Sequence, residues 1–183
     1  MKKVILVFLL IEIVSMNFET MAQDIGFRGG YQSSGTWNDG DQVDGDLPGF
    51  YVGIFKNSRI GLGDLLMINY GLEYIQNGHK SDDSNYRSID YLSIPLALRV
   101  KLGPVYAQGG INGNFRIGEE YLLNGSDVLN DNNKTSGFDV PAHIGLGFKI
   151  LMISIEARYH YGLMDVNNGN ANRYFQIGAG ISF

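Results

Sequence analysis

Five ionisable residues raise the first chemical question in this chain. Arg28, Glu73, Arg99, Glu156 and Arg158 each lie in a stretch that alternates apolar with polar residues, and each takes the polar parity. Two carboxylates among three guanidiniums could neutralise one another as a salt-bridged filling, or could line a gated path for protons or ions. An unpaired buried charge is very costly, so a shut-in cluster of this composition is expected to pair within itself. His143 and His160 share that inward parity on successive stretches, with Asp139 the nearest acid. A metal would need more ligands than these three, and the chain has neither an HExxH run nor a cysteine. The expectation is therefore an inward polar network of Arg28, Glu73, Arg99, Glu156, Arg158, His143 and His160, with no metal and no cofactor.

Hydrolytic chemistry needs a nucleophile, a base within hydrogen-bond reach and a group that orients the base. Ser154 and His160 share parity but stand six positions apart, which is about 20 Å along an extended strand. Ser93 or Ser182 could reach a histidine only across strands, and no motif singles out either. The chain is expected not to be an enzyme. The run Asn38-Asp39-Gly40-Asp41-Gln42-Val43-Asp44-Gly45-Asp46 is acidic and glycine-spaced. It lacks the closing glutamate of a calcium-binding EF-hand loop, so a solvated surface loop is expected. Trp37, the single tryptophan, sits just before that run. It fits either a partner contact or an anchor at the lipid headgroup level.

Eight stretches of period-2 alternation must position these residues: 24–33, 49–56, 65–76, 89–101, 105–117, 137–149, 152–163 and 172–183. Each is close to the roughly 9–11 residues with which a tilted strand crosses a membrane. Turn signals at Asn57-Ser58, at Gly103-Pro104 and near Ile150 mark short joins. The other joins, 34–48, 77–88, 118–136 and 164–171, are longer. Alternating long loops and tight turns predict an all-β, eight-stranded antiparallel up-and-down transmembrane β-barrel, with long extracellular loops and short periplasmic turns. The facing supports lipid outside. Ile153, Ile155, Ala157, Tyr159, Tyr161 and Leu163 stand opposite Ser154, Glu156, Arg158, His160 and Gly162. A water-facing surface would seldom set its charges among so much Gly, Ala and Ser, whereas a crowded lumen would.

The ends agree with a secreted barrel. Lys2 and Lys3 precede an apolar run, 4–14, that is too short to span a bilayer, and Thr20-Met21-Ala22 suits signal-peptidase cleavage before Gln23. Residues 1–22 are expected to be a cleaved signal peptide and 23–183 a single barrel domain. The formal net charge of −5 survives that cleavage and argues against a nucleic-acid partner. Gly 25 against Pro 4 suits a narrow barrel. The last strand closes on an aromatic residue, Phe183, and resembles the carboxyl-terminal assembly signal of bacterial outer-membrane barrels.

Five motifs in order extend that likeness. Asp90-Tyr91-Leu92-Ser93-Ile94-Pro95 resembles the "DYLxIP" signature of the PorT-like outer-membrane β-barrel family, and Arg158-Tyr159-His160-Tyr161-Gly162-Leu163 its "RYxYGL" segment. Pro48-Gly49-Phe50-Tyr51-Val52-Gly53, Gly71-Leu72-Glu73-Tyr74 and Phe175-Gln176-Ile177-Gly178 are similar to its remaining elements. The resemblance implies a barrel in a Gram-negative outer membrane and no particular activity. The function expected is binding, docking or envelope integrity through the extracellular loops; the alternatives are a narrow channel for solute uptake and a membrane-embedded hydrolase. The partners expected are outer-membrane lipid and lipopolysaccharide, the barrel assembly machinery, and a protein partner at the loops.

Overall fold

A computed structural model of the chain describes residues 25–38, 41–42, 45–60, 65–82, 84–130, 134–164 and 171–183. The leader, its cleavage site and residues 39–40 and 43–44 of the acidic run lie outside these residues. Eight long strands alternate in direction: β1 (Ile25–Asn38), β2 (Gly45–Arg59), β3 (Leu66–Asp82), β4 (Asn85–Leu102), β5 (Val105–Leu123), β6 (Pro141–Ile150), β7 (Ile153–Gly162) and β8 (Ala171–Ser182). Each pairs antiparallel with its neighbour in sequence. β8 returns to β1, from Gly26 opposite Ser182 to Trp37 opposite Ala171, so the barrel is closed and leaves no edge strand.

Burial is inverted relative to a water-soluble barrel. Ile144 and Leu146 are 68% and 65% exposed, whereas Arg158 and Glu73 are each 1% exposed. Only a surround of lipid makes that arrangement favourable, because the outer face then remains in an apolar medium while the polar groups satisfy one another inside. Among the described residues no helix is long and apolar enough to cross a membrane; the strands do the crossing.

The first five strands are longer than the alternation alone predicts, and chiefly at one rim. β1 through β5 run to Asn38, up from Gly45, to Asp82, up from Asn85 and to Leu123, so much of the expected loops is hairpin standing above the belt. Three places depart from the sequence reading. Asn57 and Ser58 are strand residues, not a turn; they pair with Asn69 and Ile68, and Asn57 is buried, where it accepts from Asn69 Nδ2 at 2.9 Å. The polar pair looks like a turn signal, but one member is an inward amide with a partner. The sixth strand starts at Pro141, not at residue 137, with Phe138–Asp139 forming a separate short pairing to β5. Proline lacks an N–H and suits the first position of a strand. Lastly, β5 carries a bulge. Tyr91 faces Arg116 and Asp90 faces Gly118, which leaves Ile117 unopposed and reverses the facing beyond it.

Glycine has a specific use inside. A Cβ on Gly147 would collide with the ring of Tyr106. The inward glycines therefore make room for large polar side chains across the lumen.

Candidate functional site

The interior is a column of polar contacts. At its centre Glu73 (β3) accepts from Nε of Arg28 (β1) and, at 3.0 and 3.3 Å, from Nη2 and Nη1 of Arg158 (β7). Glu156 (β7) lies 3.4 Å from Arg28 Nη1, 3.3 Å from Arg99 Nη2 (β4) and 3.3 Å from Arg158 Nε. It also accepts from the Tyr106 hydroxyl at 2.9 Å. Arg99 donates from Nε and Nη2 to Gln108 Oε1, and Arg28 to Asn69 Oδ1 at 3.1 Å. Each guanidinium is also stacked: Arg28 over Phe55, Arg99 over Tyr106 and Arg158 over Tyr51. The five charged residues come from four strands spread around the wall, so the network braces the barrel across its diameter. Two carboxylates against three guanidiniums leave one net positive charge there.

Next along the column, His160 Nε2 and Gln176 Oε1 are 3.0 Å apart, and Gln176 donates to Gln32 at 2.6 Å. The His160 ring stacks on Tyr174 at 4.1 Å and lies 5.0 Å from that of His143. Asp139 does not join the two histidines; it accepts from Asn172 Nδ2 at 3.4 Å. Among the described residues no group of three or more His, Cys, Asp or Glu is placed to hold a metal ion. The serines are also committed elsewhere. Ser93 Oγ accepts from Asn112, Ser182 Oγ from Lys149, and Ser154 Oγ donates to the Gly180 carbonyl. No serine–histidine pair forms among them.

Above the belt sits a second cluster that period-2 reading misses. Glu119 accepts from Nε of Arg87 at 2.7 Å, from Nη1 of Arg116, and from the hydroxyl of Thr135 at 2.5 Å and its amide at 3.2 Å. Arg116 also donates to the Thr135 carbonyl. This clamp ties the third extracellular connection, through Thr135, onto the β4–β5 hairpin. Burial pushes the Glu119 carboxyl up, but the bonds from Thr135 and the Arg87 charge outweigh it and hold the group below its ordinary range. The bulge at Ile117 turns Glu119 inward, so straight alternation assigns it to the wrong face. Of the acidic run, Asp46 is described with its side chain, which accepts from Ser33 at 3.2 Å.

A closed eight-stranded barrel with a lipid-compatible wall and a charge-filled lumen defines an integral outer-membrane barrel of the Gram-negative type. The family model for the outer membrane protein beta-barrel domain matches residues 21–168, and the chain belongs to that family. Solved structures share its fold. Neisserial surface protein A superimposes with a TM-score of 0.62 at 14% identity, covering 87% of this chain and 97% of its own. Ail, the attachment invasion locus protein of Yersinia pestis, gives 0.56 at 16% identity over 89% of this chain and 100% of its own. Ail in complex with the heparin analogue sucrose octasulfate gives 0.52 at 14% identity, with the same coverage. No curated protein sequence matches the chain.

Proposed function

We propose that this outer-membrane barrel is a non-conducting, non-enzymatic scaffold whose extracellular hairpins do its work, in docking, adhesion or envelope integrity. The ion network carries this reading. Arg28, Glu73, Arg99, Glu156 and Arg158 are all 5% exposed or less and bond to one another across the lumen. Eight strands leave an interior just wide enough for side chains, and here those side chains are in place. An open water path would have to dismantle charge-assisted bonds that are costly to break in a low dielectric. The channel and hydrolase readings therefore rank lower, the second because Ser93, Ser154, Ser182 and His160 Nε2 are each bonded to other partners.

The hairpins above the belt, with the Glu119 clamp ordering the third, offer a shaped surface for a protein partner. The "DYLSIP" and "RYHYGL" segments support a place in the PorT-like branch of the family, and the leader supports secretion with cleavage before Gln23. Phe183, whose amide donates to the Ile25 carbonyl at 2.9 Å, is the residue we assign to recognition by the assembly machinery.

Planar-bilayer recording tests the closed lumen: silence is expected from the wild type, and steady single-channel openings would overturn it. For the docking role, a pull-down from detergent-solubilised outer membranes compares the wild type with a chain whose 118–136 connection is shortened. A partner retained equally by both would remove the third hairpin from the proposal.

A further inference from the structure

One arginine of the wall is stacked like the luminal ones but lacks what they have. Arg173 on β8 lies with its guanidinium 4.5 Å from the ring of Trp37 on β1 and 4.5 Å from that of Tyr161 on β7. Arg28, Arg87, Arg99 and Arg158 are also stacked on aromatic rings, and each has a carboxylate, Glu73, Glu119, Glu156 and Glu73 respectively. Among the described residues Arg173 has no carboxylate partner; its Nε, like Arg28 Nη2 in the lumen, is buried with no acceptor.

Its position is on the outer wall. On β8 it shares parity with Phe175 and Ile177, which are 42% and 46% exposed, and its cross-strand neighbours are Gly35 and the outward Tyr161. Arg173 stands eight residues above Ile181, whose neighbour Ile153 opens β7 at the opposite rim. Eight residues are about 26 Å of strand, or about 20 Å of height at the usual tilt, against an apolar band of about 25 Å. That places the guanidinium at the outer edge of the hydrocarbon, in the girdle where Trp and Tyr rings sit with apolar bodies in lipid and polar tips at the headgroups. A planar cation sandwiched by two rings keeps its in-plane N–H groups directed at the rim of the sandwich, which is the geometry that takes two oxygens of a phosphate.

We propose that Arg173, Trp37 and Tyr161 form a binding site for the phosphate group of an outer-leaflet glycolipid, the phosphorylated diglucosamine lipid that anchors lipopolysaccharide. The two rings meet the sugar and the upper acyl chains; the guanidinium binds the phosphate. The proposal rests on the outer-membrane location and not on the docking role, so a failure of the pull-down leaves it standing.

Trp37, the single tryptophan, reports on the site directly. The purified barrel in zwitterionic detergent is titrated with phosphorylated lipid A while Trp37 emission is followed, with native mass spectrometry counting bound lipid. A saturable shift and one retained lipid are expected for the wild type. Arg173→Gln should weaken binding at least tenfold, with Arg173→Lys in between; heat-modifiable mobility confirms that each variant is folded. Dephosphorylated lipid A, inorganic phosphate and a sulfated oligosaccharide should leave the emission unchanged. Equal binding of dephosphorylated lipid A, or an Arg173→Gln midpoint equal to that of the wild type, would overturn the site. A response to inorganic phosphate or the sulfated sugar without one to lipid A would overturn the lipid as its occupant.

Discussion

Glu73 holds two of the three luminal arginines, so its loss should be the most costly single change in the interior. Glu73→Gln removes the negative charge while keeping the shape. Three charge-assisted contacts are at stake, one from Arg28 and two from Arg158. At about 1.5–3 kcal/mol each, they set an upper bound of about 5–9 kcal/mol. The amide oxygen still accepts one bond, and Glu156 remains near both arginines. A cost of about 3–5 kcal/mol is therefore expected, the range for removing one partner of a buried pair. That is a large share of the roughly 5–15 kcal/mol by which domains are stable. Urea unfolding in lipid vesicles, followed by Trp37 fluorescence, measures it. The double change Glu73→Met with Arg158→Met removes one charge of each sign and returns the lumen to a single net positive charge. It should be more stable than the sum of the two single Met variants predicts, by at least about 1 kcal/mol. A Glu73→Gln barrel within about 0.5 kcal/mol of wild type, or a strictly additive double variant, would refute the network as a brace.

Four further outcomes test other parts of the molecule. Ile155→Arg on the outer face should cost about 2–4 kcal/mol in bilayers, and a Trp at Ile155, but not one at Glu156, should be quenched by brominated lipid. Gly147→Leu drives a side chain into the Tyr106 ring and should destabilise by about 1–3 kcal/mol; no change in the urea midpoint would place Gly147 elsewhere than the lumen. The clamp carboxyl of Glu119 is lowered from an ordinary value of 4.5. Its stabilisation is therefore complete above that pH and fades as pH falls through the lower folded value. Amide protection near Thr135 should be lost as pH falls below the ordinary carboxylate value in the wild type and already be low at pH 7 in Glu119→Gln; equal protection in both would remove the clamp. Deleting Phe183 removes its bond to Ile25 and should lower the yield of heat-modifiable barrel, whereas unchanged yield would take the assembly role from this residue.

The barrel was legible because its physics is local. Alternation through Ile144, Leu146 and Phe148 against His143, Gly145 and Gly147 identifies a strand and its two faces with no knowledge of neighbours. The inward parity of the five charged residues is equally local. Which carboxylate meets which arginine is not, since Arg28 and Glu73 lie on strands separated by β2, and Arg158 reaches Glu73 from the far wall. Barrel curvature and side-chain length decide those pairs. The Glu119 clamp was illegible for a different reason: one unopposed residue, Ile117, inverts every facing beyond it, and a period-2 reading carries no term for a bulge. Asn57 misled in the opposite direction, because a luminal amide satisfied by Asn69 has the composition of a turn.

The same contrast explains why the interior and the wall should have separate roles. Inside, every stacked arginine is matched to a carboxylate on another strand, and aromatic rings cover the remaining faces. That arrangement sets each luminal guanidinium against an acid on another strand, which is what a structural filling requires and what an ion path must avoid. A permeation pathway needs sites that bind weakly enough to release, whereas Glu73 and Glu156 are held by several donors each. Among the described residues Arg173 keeps the stacking but has no acid partner, so its demand for an anion faces the membrane. If selection had only braced the wall there, a tyrosine or leucine in the girdle would have packed against Trp37 and Tyr161 without placing a charge at the hydrocarbon edge. A cation at that height costs only about 0–1 kcal/mol by itself, and it stands at the level of the outer-leaflet headgroups, where lipid phosphate is available.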